Sequence, residues 1–133
     1  CAPIVTAFEA SERFAEPFPN AATSASGLRV PAAVGDFMIL DAVRESGGAA
    51  IAAAEERLLW WAQRASALEG ISICPETGAC LAALEEMIRT GAVDRDERIV
   101  IFNTGAAQKY LEVIQTDLPQ LATPVDWDNL SAL

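Results

Sequence analysis

The order of segments in this chain predicts an α/β fold, a parallel sheet with flanking helices, and three observations carry that reading. Segments with helical apolar spacing alternate with short apolar runs, the pattern of βαβ units rather than of a bundle or a sandwich. The apolar run Ile99-Val100-Ile101-Phe102 passes directly into Asn103-Thr104-Gly105. A hydroxyl and a glycine-permitted turn therefore stand where a parallel strand would end, which is where open α/β sheets bind ligands. Finally, 133 residues at 52% hydrophobic, with a mean hydropathy of +0.24, suffice for one packed core and predict a single domain.

Taken in order, Ala2 to Arg13 has apolar Ile4, Val5, Ala7 and Phe8 behind Pro3, which suits a short helix opening with proline in its first turn. The Pro17-Phe18-Pro19-Asn20 cluster breaks it. Val30-Pro31 opens a second helix in which Val34, Phe37, Met38, Asp41 and Ala42 fall at helical spacing until Gly47-Gly48, with Pro31 at the first helical position. Ala49 to Ala54 is short, small and apolar and reads as a buried strand, although alanine is a poor strand former. Glu55 to Leu68 forms an amphipathic helix: Leu58, Leu59, Trp61, Ala62, Ala65 and Leu68 trace one face, Glu55, Glu56, Arg57 and Gln63 supply much of the other, and Gly70 stops it.

Ile71-Ser72-Ile73 is a strand fragment. A helix then runs from Pro75 through Arg89, with Glu76 at its positive end, Arg89 in its last turn and Gly91 just beyond. Val93 to Arg98 is a charged connection, Arg98 to Phe102 a strand, and Ala106 to Gln115 a final helix. Asp117 to Leu133, with Pro119 and Pro124 among polar residues, Trp127 and Leu130, reads as an irregular tail. No internal repeat is visible.

Charge narrows the range of partners. The formal net charge is −10, and one lysine and eight arginines are scattered without a cluster, so the basic face that phosphate backbones require is missing and nucleic acid is not an expected partner. An anionic membrane surface is disfavoured for the same reason. Charge or proline interrupts every apolar stretch well short of the roughly 20 residues of a spanning helix. The chain begins at Cys1-Ala2-Pro3 without an initiator Met or the regions of a signal peptide, and so reads as a piece cut from a longer polypeptide. Cys1, Cys74 and Cys80 are too few for a disulfide framework, and a chain with no histidine lacks the usual partners for a zinc site. Reduced thiols in a cytoplasmic setting follow from that usage.

The absence of histidine also removes the usual Ser-His-Asp and Cys-His machines. Glu55-Glu56, Glu85-Glu86 and the run Asp94 to Arg98 read as solvated faces. Gly47-Gly48 lacks the flanking spacing of a Walker loop or a Rossmann fingerprint and serves to end a helix.

Four ordered segments carry more information than any of these. CAPIVTAFE at 1 to 9, SGLRVPAAVGDFMILDAVRESGG at 26 to 48, GISICPETGACLAAL at 70 to 84 and DERIVIFNTGAAQKY at 96 to 110 resemble, in order and spacing, consecutive blocks of the threonine synthases, enzymes of the fold type II pyridoxal phosphate family. The resemblance covers most of the chain up to Tyr110 and implies the C-terminal portion of such a synthase, 1 to 133, with a partial tryptophan-synthase-β-like fold and 117 to 133 as its irregular tail. Leu111 to Leu133 offers little to compare.

What the resemblance implies for site residues is specific. In fold type II enzymes a Ser or Thr hydroxyl near the end of a C-terminal strand contacts the pyridine nitrogen of the cofactor, and the matching residue is Thr104, which by itself would read as a strand-end turn residue. Such a hydroxyl does not hold the nitrogen protonated and so moderates the electron sink. Asn103 and Gly105 shape the same turn. Ser26, before Gly27, matches a segment that passes close to the cofactor in related dehydratases, and it either lines the site or is an ordinary loop serine. Glu76 is read first as a first-turn acid favoured by the helix dipole. Arg29 has the chemistry of an anion anchor, but nothing in the sequence puts it at the site.

The family's Schiff-base lysine and Gly-rich phosphate loop lie upstream of the blocks matched here. Lys109 follows Thr104 too closely to be that lysine and reads as a helix-start or surface residue, so no catalytic residue is assigned. A complete enzyme of this kind converts O-phosphohomoserine and water to threonine and phosphate, and this piece alone is expected to be inactive. A small-molecule substrate is the implied partner, and a homo-oligomer is compatible with the reading. Two alternatives stand beside it: a fragment of a serine/threonine dehydratase-like lyase, against which the RVP and NTG-to-KY blocks speak, and a non-catalytic α/β interaction module, which would expose former core as an apolar patch.

Overall fold

A computed structural model describes residues 1 to 113, 123 to 125 and 127. Its helices are α1 (Pro3–Glu9), α2 (Asp36–Glu45), α3 (Glu55–Glu69) and α4 (Pro75–Thr90), with single 3₁₀ turns at Ser26–Leu28 and Ala107–Lys109.

The α3–α4 pair is the centre of the packing. Leu58 and Ala62 on α3 are buried with Ala82 on α4, beside Ile73 and Cys74 on the segment leading into α4. The two backbones approach so closely that a Cβ on Gly78 would overlap the Leu58 carbonyl oxygen. Both helices end as expected, with Gly70 (φ 66°) and Gly91 (φ 74°) in the left-handed conformation that glycine adopts without a steric penalty. Across the exposed side of the pair, the Arg57 guanidinium stacks 4.0 Å from the Trp60 ring centroid and pairs with Glu85, Nη2 to Oε2 2.6 Å, while Trp61 Nε1 donates to the same Glu85 oxygen at 3.0 Å.

A second pair is built by α1 and α2, in which Ala7 and Leu40 are buried. Arg44 ties them together: its Nη2 donates to the Glu12 carbonyl at 2.7 Å and lies 3.4 Å from that of Ala7. Here the boundaries differ from expectation. α1 stops at Glu9 rather than running to Arg13, because Ser11 turns left-handed (φ 57°) and the Glu12 N–H bonds back to the Ala7 carbonyl at 2.9 Å. α2 begins at Asp36 rather than at Pro31. The Pro31 carbonyl accepts the Phe18 N–H at 2.8 Å, which holds that residue in a strap outside the helix, and the Asp36 carboxylate accepts the Ala15 N–H at 2.7 Å.

The three expected strands, Ala49 to Ala54, Ile71 to Ile73 and Arg98 to Phe102, have no regular secondary structure and form no β-ladder, so the described residues contain no parallel sheet. A ladder needs a neighbouring backbone along its whole length. Between the second and third segments, a single backbone bond among the described residues, Cys74 N–H to the Gly105 carbonyl at 3.3 Å, joins their ends. Val100 and Phe102 are accordingly 74% and 81% exposed. The helix expected over Ala106 to Gln115 is reduced to the Ala107–Lys109 turn and further turns through Val113, with its last two positions outside the described residues. The tail expected over 117 to 133 lies outside them too, except for Thr123 to Val125 and Trp127. None of the four helices is long and apolar enough to cross a membrane.

Candidate functional site

The N-terminus of α4 gathers residues from three of the four sequence blocks. Cys74, with extended backbone (φ −77°, ψ 162°), precedes Pro75 at the first helical position, whose missing N–H and fixed φ suit a helix start. On one side lies the Asn103-Thr104-Gly105 segment; on the other, the Ser26–Leu28 turn.

The first side is held by a chain of hydrogen bonds. The Thr77 hydroxyl, buried at 4% exposure, donates to Asn103 Oδ1 at 2.7 Å. With that proton committed, its oxygen is left to accept from the Cys74 thiol, 3.3 Å away. Gly105 packs on Cys74 so closely that an added Cβ would lie 3.2 Å from Sγ, and its carbonyl takes the Cys74 N–H. The segment is thus fixed at Asn103 and at Gly105, and Thr104 between them is exposed.

Two carboxylates hold the second side. Glu55, at the start of α3, accepts the Ser24 N–H at 2.6 Å, and Glu76, at the start of α4, accepts the Gly27 N–H at 2.7 Å. Between these anchors Ala25 is fully buried and Ser26 is exposed. Burial acts to raise the Glu55 pKa, but the Ser24 donors and Thr23 outweigh it and hold it below its ordinary 4.5.

Glu76 follows the same logic. Burial acts to raise its pKa, and hydrogen bonds from its own backbone and from the Gly27 N–H help overcome that, leaving it below 4.5. Its second oxygen, Oε2, is buried and has no aligned hydrogen-bond partner among the described residues. Tyr110 stands beside it, and contact with the Glu76 carboxylate, together with burial, pushes the phenol above its ordinary pKa of 10.0.

All four sequence-expected site residues, Ser26, Asn103, Thr104 and Gly105, therefore flank one helix start. Arg29 is exposed on the segment after the Ser26–Leu28 turn and makes no ion pair among the described residues. Lys109 is exposed at the end of the Ala107–Lys109 turn. Sequence reasoning missed Glu55 and Thr77. Glu55 reads as part of a solvated helix face, yet it fixes the loop carrying Ser26. Thr77 lies inside the PETGA segment three residues after the helix-capping Cys74, a position whose side chain can reach back to the helix start, and that spacing was the available signal.

The start of α4 is thus flanked by an exposed Thr104 on one side and the Ser26–Leu28 turn on the other. A profile of the Pyridoxal-phosphate dependent enzyme family matches residues 1 to 105, and the chain belongs to that family, whose members depend on pyridoxal phosphate and have the α/β fold. Among its relatives are the threonine synthase of Methanocaldococcus jannaschii, 35% identical over 107 residues (80% of this chain, 26% of the relative), and that of Methanosarcina acetivorans, 32% identical over 124 residues (93% and 30%). A threonine synthase of Mycobacterium bovis is 28% identical over 112 residues, 84% of this chain and 31% of the relative. The chain thus spans between about a quarter and a third of the length of the curated relatives it matches.

The residues present fit one edge of the cofactor. Thr104 and Ser26 offer exposed neutral hydroxyls, which would suit an unprotonated ring nitrogen. Lys109 is the one lysine in the chain.

Proposed function

We propose that this chain is the C-terminal portion of a cytoplasmic threonine synthase, a lyase of threonine biosynthesis that converts O-phosphohomoserine and water to threonine and phosphate. The observation that carries this reading is the convergence of Ser26, Glu76 and the Asn103-Thr104-Gly105 segment at the start of α4, in a chain whose relatives are named threonine synthase. When bound, pyridoxal phosphate supplies an electron sink for chemistry at the substrate's α-carbon. The part assigned to this chain is positional. Thr104 offers its hydroxyl to the ring nitrogen, Asn103 and Gly105 hold that hydroxyl in place, and Ser26 lines the opposite wall. The lysine that carries the cofactor and the loop that binds its phosphate come from the remainder of the protein, as do the neighbours that turn 71 to 73 and 98 to 102 into strands of a parallel sheet.

A homo-oligomer fits this reading, and nucleic acid does not. Within it the 133-residue chain is one portion of a larger domain and is inactive by itself.

Phosphate release from O-phosphohomoserine provides the test. The whole protein carrying this segment releases phosphate, and the isolated chain does not. No release by the whole protein, with turnover of serine or threonine to a keto acid instead, would favour the dehydratase-like reading.

A further inference from the structure

Thr77 is a buried hydroxyl for which the proposed chemistry has no direct use, and its surroundings give it one. It stands on the first turn of α4, accepts from Cys74 Sγ at 3.3 Å and donates to Asn103 Oδ1 at 2.7 Å. Asn103 precedes the exposed Thr104, and Gly105 on the far side is fastened to Cys74 through its carbonyl at 3.3 Å. Residues 98 to 102, which lead into this segment, form no ladder among the described residues and restrain it little. The Thr77 hydroxyl is therefore the side-chain tie on the N-terminal side of Thr104.

We infer that Thr77 is a positioning residue: through Asn103 it clamps the segment to the start of α4 and so fixes the direction in which Thr104 presents its hydroxyl. This rests on the proposed role of Thr104 at the cofactor ring. A packing role and a clamping role make opposite demands on the side chain. Valine keeps the shape and loses the hydroxyl, whereas serine keeps the hydroxyl and loses a methyl group.

The experiment compares Thr77→Val and Thr77→Ser in the whole protein that carries this segment, with two readouts. In the cofactor-free protein, amide hydrogen exchange at Thr104 and Gly105 reports how firmly the segment is held. Equilibrium dialysis then reports affinity for pyridoxal phosphate. Thr77→Val is expected to speed exchange at both amides and weaken cofactor binding roughly fivefold to tenfold, as expected for one hydrogen bond, with Thr77→Ser restoring both. Unchanged exchange in Thr77→Val, or equal loss in the serine variant, overturns the clamp. Thr104→Ala run alongside separates the two ideas. Should it leave affinity untouched while Thr77→Val still speeds exchange, the clamp stands and the ring contact fails. If Thr77→Val does not fold, Thr77→Ala carries the same expectation.

Discussion

The α3–α4 pair and the segment from 98 to 105 lie against each other at Cys74, yet they are held in opposite ways. The helix pair is sustained by its own interior: Leu58, Ala62 and Ala82 are buried, Gly78 lets the backbones touch, and left-handed glycines close both ends. The segment from 98 to 105 has no regular structure, Ile101 is half-buried, and Val100 and Phe102 are exposed. Its fixed points are at its C-terminal end, where Asn103 is bonded to Thr77 of α4 and Gly105 to Cys74 just before it. Local pattern suffices to make a helix, because each backbone bond closes within the segment, whereas a parallel strand depends on a neighbour that the local sequence does not specify. The site is placed where the self-sufficient region holds the dependent one.

The sharpest way to break this contrast is to separate the helices. In Gly78→Ala the added methyl collides with the Leu58 backbone, which cannot move aside as a flexible side chain would, and a loss of about 3 kcal/mol or failure to fold is expected from chemical denaturation. Leu58→Ala tests the same interior by removing volume, at about 3 kcal/mol. Phe102→Ala probes the other region, and in the isolated chain it is expected to change stability by less than about 0.5 kcal/mol. A loss as large as that of Leu58→Ala would mean that this segment has an interior of its own.

A gentler test concerns Glu76. Its folded pKa lies below the ordinary 4.5, so its contribution is fully present above that value and is lost as pH falls through the folded pKa. Stability measured from neutral pH downward is therefore expected to drop less steeply in Glu76→Gln than in the parent chain. Identical slopes would remove Glu76 as an anchor of the Gly27 turn. The smallest effect is expected at Arg57. Its hydrogen bonds hold the Glu85 carboxyl below 4.5, and in Arg57→Ala the Glu85 titration followed by NMR returns toward the ordinary value with little change in fold.

What could be read in the sequence follows the same division. The amphipathic spacing of 55 to 68 and the proline start and glycine stop of the helix after Cys74 are local signals, and each reappears at or within one residue of its expected limits, whereas residues 103 to 105 form no regular turn. The start of α2 was misplaced because Pro31 has the right chemistry for a first turn, while its carbonyl is taken by Phe18, a partner 13 residues away that local spacing does not reveal. The strands were legible as apolar runs, but not their lack of neighbours. Of the residues around the start of α4, Asn103, Thr104 and Gly105 were singled out from the sequence, whereas Glu55 and Thr77 were not, because their hydrogen bonds reach loops that are distant in sequence.

The central claim is that Thr104 meets the ring nitrogen of the cofactor. It is tested most directly by the nitrogen-15 NMR shift of ring-labelled pyridoxal phosphate bound to the whole protein, with threonine or valine at position 104. The account predicts the shift of a hydrogen-bonded, unprotonated nitrogen in the parent and a move toward the unbonded value in Thr104→Val. The same shift in both proteins, or a protonated nitrogen in the parent, would contradict it.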